Sequence, residues 1–99
     1  MRPVSRKRRE SALERKAMKY ARSRGVVVAK LTRLDGVPDR IFFVPGGKPL
    51  IIEFKARGEK PGEAQSWYLQ KLKEDGYRVA WCDTKEKFLE AYEQGSKHK

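Results

Sequence analysis

Sulfur and imidazole chemistry are nearly absent from this 99-residue chain, which has one cysteine, Cys82, and one histidine, His98. A single thiol forms no internal disulfide, and within Val79-Ala80-Trp81-Cys82 it reads as a small buried residue rather than a nucleophile. With the only histidine in the terminal tail, serine triads, cysteine-histidine pairs, zinc fingers and histidine-metal nucleases are excluded. No apolar run approaches the roughly 20 residues that span a bilayer, and the N-terminus lacks the apolar centre of a secretory signal. The expectation is a soluble protein of a reducing, intracellular compartment, cytoplasmic and without a membrane partner. Acidic residues are also scarce where the chain begins. Residues 1–33 hold 12 Lys and Arg against 2 acids, whereas residues 34–99 hold 12 against 11. Most of the formal charge of +11 is therefore a surface for polyanions, of which nucleic acid is the commonest in a cell.

What is present is organised around the stretch Val37 to Lys55. Arg40 to Val44 and Leu50 to Phe54 are rich in β-branched and aromatic residues, and Pro45-Gly46-Gly47-Lys48 between them is turn chemistry. A hairpin follows. If Val44 faces Pro49, the antiparallel register brings Asp39 opposite Phe54, give or take one residue, beside Glu53 and Lys55. Glu53 and Lys55 share a face, roughly 7 Å apart at about 3.3 Å per residue. Two acids and a lysine thus converge at the end of an otherwise apolar sheet, which is costly unless the charges are paired or bound to a cation. Two explanations stand: a salt bridge of Lys55 with Glu53 or Asp39, or a divalent metal site, because paired carboxylates suit Mg²⁺ or Mn²⁺.

Residues 1–10, with Arg2, Arg6, Lys7, Arg8 and Arg9, read as a basic N-terminal arm. From Ser5 or Ser11 to Arg24 the spacing is helical, with Leu13, Ala17, Tyr20 and Ala21 on one face and Arg15, Lys16, Lys19 and Arg22 opposite. Glu10 and Glu14 fall on the apolar side. Either Ser11 and Glu14 form a capping box, or Glu14 reaches toward the carboxylates on the sheet, with Glu10 as substitute. Val26 to Leu31 is a short strand carrying Lys30 near its end. Arg57 and Lys60 lie in a basic loop after Lys55. A helix over 63–75 burying Ala64, Trp67, Tyr68 and Leu72, a strand over 77–82 and a helix over 84–93 complete the order. The helix over 63–75 serves as a crossover that brings the last strand in parallel. The fold class expected is α/β: a mixed central sheet, three strands in an antiparallel meander plus one parallel strand, flanked by helices. Residues 11–94 form the domain and 95–99 a tail.

Pro38-Asp39 followed by Glu53-Phe54-Lys55 resembles the PD-(D/E)XK nuclease signature. Gly36-Val37-Pro38-Asp39-Arg40, the Pro45-Gly46-Gly47 turn and Gln65 are more narrowly similar to the VRR-NUC branch, in its small stand-alone phage and bacterial members. The resemblance runs from about Glu14 to Asp83. It implies a restriction-endonuclease-like fold, with Asp39, Glu53 and the Phe54 carbonyl as ligands of Mg²⁺ or Mn²⁺ and Lys55 orienting or deprotonating the attacking water. Glu14 would hold the metal through water or complete a second site. Gln65 would orient Lys55 or a phosphate, and Lys30 would touch the scissile phosphate. With Arg6, Lys7, Arg8, Arg9, Arg57 and Lys60 as further nucleic-acid contacts, the expectation is a metal-dependent endonuclease. Its substrate would be branched DNA such as a four-way Holliday junction, cut by a homodimer, in a bacterial host if phage-encoded. A non-catalytic DNA-binding module on the same fold and an RNA-directed nuclease are the alternatives.

Overall fold

The computed structural model of the chain describes residues 6–32, 35–46 and 49–97, and side chains from residue 8 to residue 94 among them. Arg2, the side chains of Arg6 and Lys7, Gly47, Lys48 and His98 lie outside the described residues. Seven elements follow in the order α1 (Arg6–Ser23), β1 (Val27–Lys30), β2 (Arg40–Phe43), β3 (Leu50–Phe54), α2 (Glu63–Glu74), β4 (Arg78–Cys82) and α3 (Lys85–Lys97). The strands form one sheet in the order β1-β2-β3-β4. The first three pair antiparallel and β4 joins β3 in parallel, the mixed sheet expected.

Alternation along the strands gives the sheet two unequal faces. One carries Phe42, Leu50, Ile52, Phe54 and Cys82, and packs against Leu13, Ala17 and Ala21 of α1 and Phe88 and Tyr92 of α3. All of these are buried, and Tyr20, Phe88 and Tyr92 add edge-on and tilted ring contacts. Complete burial and the neighbouring Asp83 charge push the Cys82 thiol up to about 12, so it stays a protonated packing group. The second face, with Ile41, Phe43, Val27 and Ile51, is covered only where α2 crosses β4. Trp67, expected in the core, is 60 % exposed, and α2 buries none of its residues. Its amphipathic rhythm meets one edge of the sheet rather than a full layer, so Tyr68 and Leu72 are only half covered.

The ends of the helices also depart from expectation. Helix α1 begins at Arg6, so the last residues of the expected arm are its first turn and Ser11 lies inside it, which removes the capping box. The basic residues there are good helix formers once Leu13 and Ala17 dock on the sheet. Helix α3 continues to Lys97, into the expected tail. No helix among the described residues is long and apolar enough to cross a membrane.

Candidate active site

Backbone pairing brings the two acids together. Arg40 faces Ile52 across the β2–β3 ladder, so the next pair outward is Asp39 with Glu53, one residue from the register expected and on the same face of the sheet. Asp39 follows the fully buried Pro38, and its main-chain carbonyl accepts the Leu31 N–H at 2.9 Å. Its Oδ2 accepts the Phe54 N–H at 2.8 Å. In an extended strand the N–H and C=O of one residue point to the same side, so the Phe54 carbonyl also faces the Asp39 side of β3. The loop before Asp39 is held against α2 at Gly36. That residue has φ +85°, and a Cβ on it would come 2.8 Å from the Cβ of Ala64. Only glycine allows this approach, which keeps the Asp39 loop beside the helix turn that bears Gln65.

Glu53 is the one buried charged residue of the described chain, 2 % exposed. Its Oε2 accepts from Gln65 Nε2 at 2.6 Å and lies 3.4 Å from Lys55 Nζ. Gln65 itself is fixed from behind, since its Oε1 accepts the Gly62 N–H at 2.9 Å where α2 begins. This orients the amide so that its nitrogen serves Glu53, whose same oxygen lies beside Lys55. Glu53 Oε1, by contrast, is buried with no hydrogen-bond partner. Desolvation first and the Asp39 charge second push the Glu53 carboxyl up to about 7, against the pull of Lys55. Asp39 is also raised, mainly by desolvation, with the Phe54 N–H opposing.

Glu14 is not part of this pair. Arg40, on the α1 side of β2, binds Glu14 Oε2 through Nε at 2.6 Å, a closer partner than the carboxylates beyond. Its charge still reaches Asp39 and raises it. Glu10, one turn earlier, borders a 260 Å³ pocket with Lys55, Glu59, Lys60, Gly62 and Gln65, and its charge acts on Glu53. Among the described residues no three acidic, histidine or cysteine side chains approach closely enough to hold an ion unaided. What is available is two carboxylates and a carbonyl. This donor set fits a hard divalent cation, and the buried Glu53 Oε1 has a lone pair to offer one.

The remaining candidates are dispersed. Lys60 borders the pocket, and Arg57 and Arg9 are exposed. Arg8 is exposed at the start of α1. Lys30 pairs with Arg40 in register and therefore shares the α1 side of the sheet, opposite to the face of Asp39 and Glu53. Two residues with structural parts went unassigned in the sequence. Arg40 belongs to the Pro-Asp-Arg motif, but its partner is 26 residues away. Asp83 ties the loop after Lys55 to β4, its Oδ2 accepting the Gly58 N–H at 2.9 Å while Lys87 lies 2.9 Å from Oδ1. Its position directly after β4 was the available signal.

No protein-family model matches the chain. A curated phage protein named "Putative nuclease p44", from Acyrthosiphon pisum secondary endosymbiont phage 1, is 32 % identical over 80 residues, covering 79 % of this chain and 86 % of the relative. A solved structure described as a VRR_NUC domain superposes with a TM-score of 0.77 at 22 % identity, over 86 % of this chain and 95 % of its own. At that identity the superposition speaks for the fold, and the phage relative for the kinship. Together they establish that the chain belongs to the family of the phage protein named "Putative nuclease p44" and has the fold of a VRR_NUC domain.

Proposed function

We propose that the protein is a divalent-metal-dependent endonuclease that hydrolyses phosphodiester bonds in DNA, with branched DNA and four-way junctions as favoured substrates. The observation that carries the reading is Glu53: a buried carboxylate set opposite Asp39, with one oxygen held by Gln65 and Lys55 and the other left without a partner. A polyanion-binding module gains nothing from such a group. Asp39, Glu53 and the Phe54 carbonyl would hold the ion, Mg²⁺ or Mn²⁺. When bound, the cation supplies charge neutralisation at the phosphate being cut and lowers the pKa of an adjacent water.

The chain's own residues account for the rest. Lys55, 15 % exposed at its side chain, orients the attacking water and exchanges a proton with it at Nζ. Gln65 keeps Glu53 from turning toward Lys55 alone. Lys60, on the rim, meets the neighbouring phosphate as a point charge. The branched-substrate preference rests on the family. Its test is a panel of linear, flap, four-way and single-stranded DNA, with RNA counterparts, incubated with Mg²⁺, Mn²⁺ or EDTA. Cutting of four-way and flap DNA in the metals and none in EDTA is the expected result. Equal cutting in EDTA refutes the reading, and preferred cutting of RNA redirects it.

Two strands of one junction require two active sites, and we propose a homodimer formed on the open face of the sheet. Val27 and Phe43 face each other there and are 67 % and 46 % exposed, and Trp67 on α2 is 60 % exposed. Exposed apolar side chains of this size support a protein contact. Sedimentation should give twice the chain mass for the wild type and a single chain for Phe43→Glu. A wild-type monomer overturns the dimer.

A further inference from the structure

Four cationic side chains that are distant in the chain border one groove of about 520 Å³: Arg9 and Lys16 from α1, Arg57 from the loop after β3 and Lys85 from the first turn of α3. All four are exposed, and none has an ion pair or hydrogen bond among the described residues. Two acids share the lining. Asp83 is already engaged by Gly58 and Lys87, which leaves Glu86 as the other negative charge. Three separate segments thus deliver like charges to one concavity, an arrangement that repels itself until an anion enters.

Two of its residues are chain neighbours of residues that line the active-site pocket. Arg57 is two residues after Lys55, a reach of at most about 7 Å, and Arg9 precedes Glu10, which lines the pocket of Lys55 and Gln65. From Arg9 to Lys16 the helix advances about 10 Å, the axial length of about three nucleotides at 3.4 Å each. We propose that the groove between α1 and α3 binds the phosphate backbone of the DNA strand leaving the active site, with Arg9, Lys16, Arg57 and Lys85 as the phosphate contacts. This rests on the nuclease reading and adds to it a direction: the strand passes over the α1 and α3 side, away from the open sheet face.

The test measures binding of a labelled linear duplex to the full-length protein in EDTA between about 50 and 200 mM salt, where each phosphate contact contributes a slope of about 0.9. Lys16→Ala with Lys85→Ala should reduce the slope by about 1.8. Lys19→Ala with Arg22→Ala removes the same charge from exposed positions of the same helix outside the groove, and should change the slope by less than half as much. Equal losses in the two double variants, or an unchanged slope in the groove variant, overturn the proposal. So does a groove variant that loses affinity for phosphatidylserine vesicles while keeping its DNA slope. Catalysis does not enter this measurement. A protein that cuts in Mn²⁺ but shows no groove effect keeps the nuclease reading and loses the groove. One that shows the groove effect and never cuts does the reverse.

Discussion

Asp39→Asn is expected to lower DNA cleavage in Mg²⁺ or Mn²⁺ by about 10³-fold or more, because a several-kcal/mol stabilisation of the reacting phosphate depends on the ion, at about 1.4 kcal/mol per factor of ten. Asparagine is the informative substitution. Asp39 Oδ2 accepts the Phe54 N–H at 2.8 Å, and an alanine there would leave that donor unsatisfied, at a cost of about 1–3 kcal/mol. The asparagine side-chain carbonyl preserves the acceptor while removing the negative charge. Binding of DNA in EDTA should therefore match the wild type and the fold should persist, while turnover is lost. Retention of more than a tenth of wild-type turnover would remove Asp39 from the chemistry and leave it as a strand-end acceptor.

The second large effect concerns Glu53 and pH in the absence of metal. Its carboxyl is pushed from an ordinary 4.5 up to about 7 by burial and by Asp39, so the folded protein holds this proton more tightly than the unfolded chain. Protonation then favours folding. That contribution is fully present below about 4.5, declines as pH rises, and is gone above about 7. A displacement of that size corresponds to about 3 kcal/mol, or roughly 15 °C in Tm for a domain of this length. Glu53→Gln removes the titration and keeps an acceptor for Gln65. In EDTA the variant should therefore melt close to the wild type at pH 4.5 and roughly 15 °C above it at pH 8. Mn²⁺ at a hundredfold excess over its Kd should raise the wild type by about 2.7 kcal/mol and leave Glu53→Gln unmoved. Parallel melting curves for the two proteins from pH 4.5 to 8, or an equal response to Mn²⁺, would falsify the assignment of Glu53 as the buried ligand.

The two predictions are coupled. Removing the Asp39 charge relieves its repulsion on Glu53, so Asp39→Asn should also flatten part of the wild-type pH dependence. A merely structural Asp39 would not do so.

Much of this site is readable from local chemistry. The span of β3, Leu50–Phe54, follows from an apolar β-branched run bounded by a turn and a basic loop. The convergence of Asp39 on Glu53 follows from hairpin arithmetic with an error of one residue, because ladder pairing leaves few registers once one face must be apolar. Other features have no local cause. Glu14 and Arg40 are joined by a bond that only the docking of α1 on the sheet creates, so the spacing of Glu14 from the apolar stripe pointed to the correct side of the helix but not to its partner. Trp67 has the rhythm of a core residue, yet its exposure depends on how much sheet α2 covers.

Chain order, the two-faced strands, the concentration of positive charge in the first third and the acids at the strand ends are properties of residue type and spacing, and they were legible without coordinates. Which carboxylate each helix residue serves, the grip of Gln65 on Glu53 and the meeting of Arg9, Lys16, Arg57 and Lys85 around one groove came from packing. The reason is range: periodicity specifies which side of an element faces inward, whereas partners dozens of residues apart are selected by how those sides fit together.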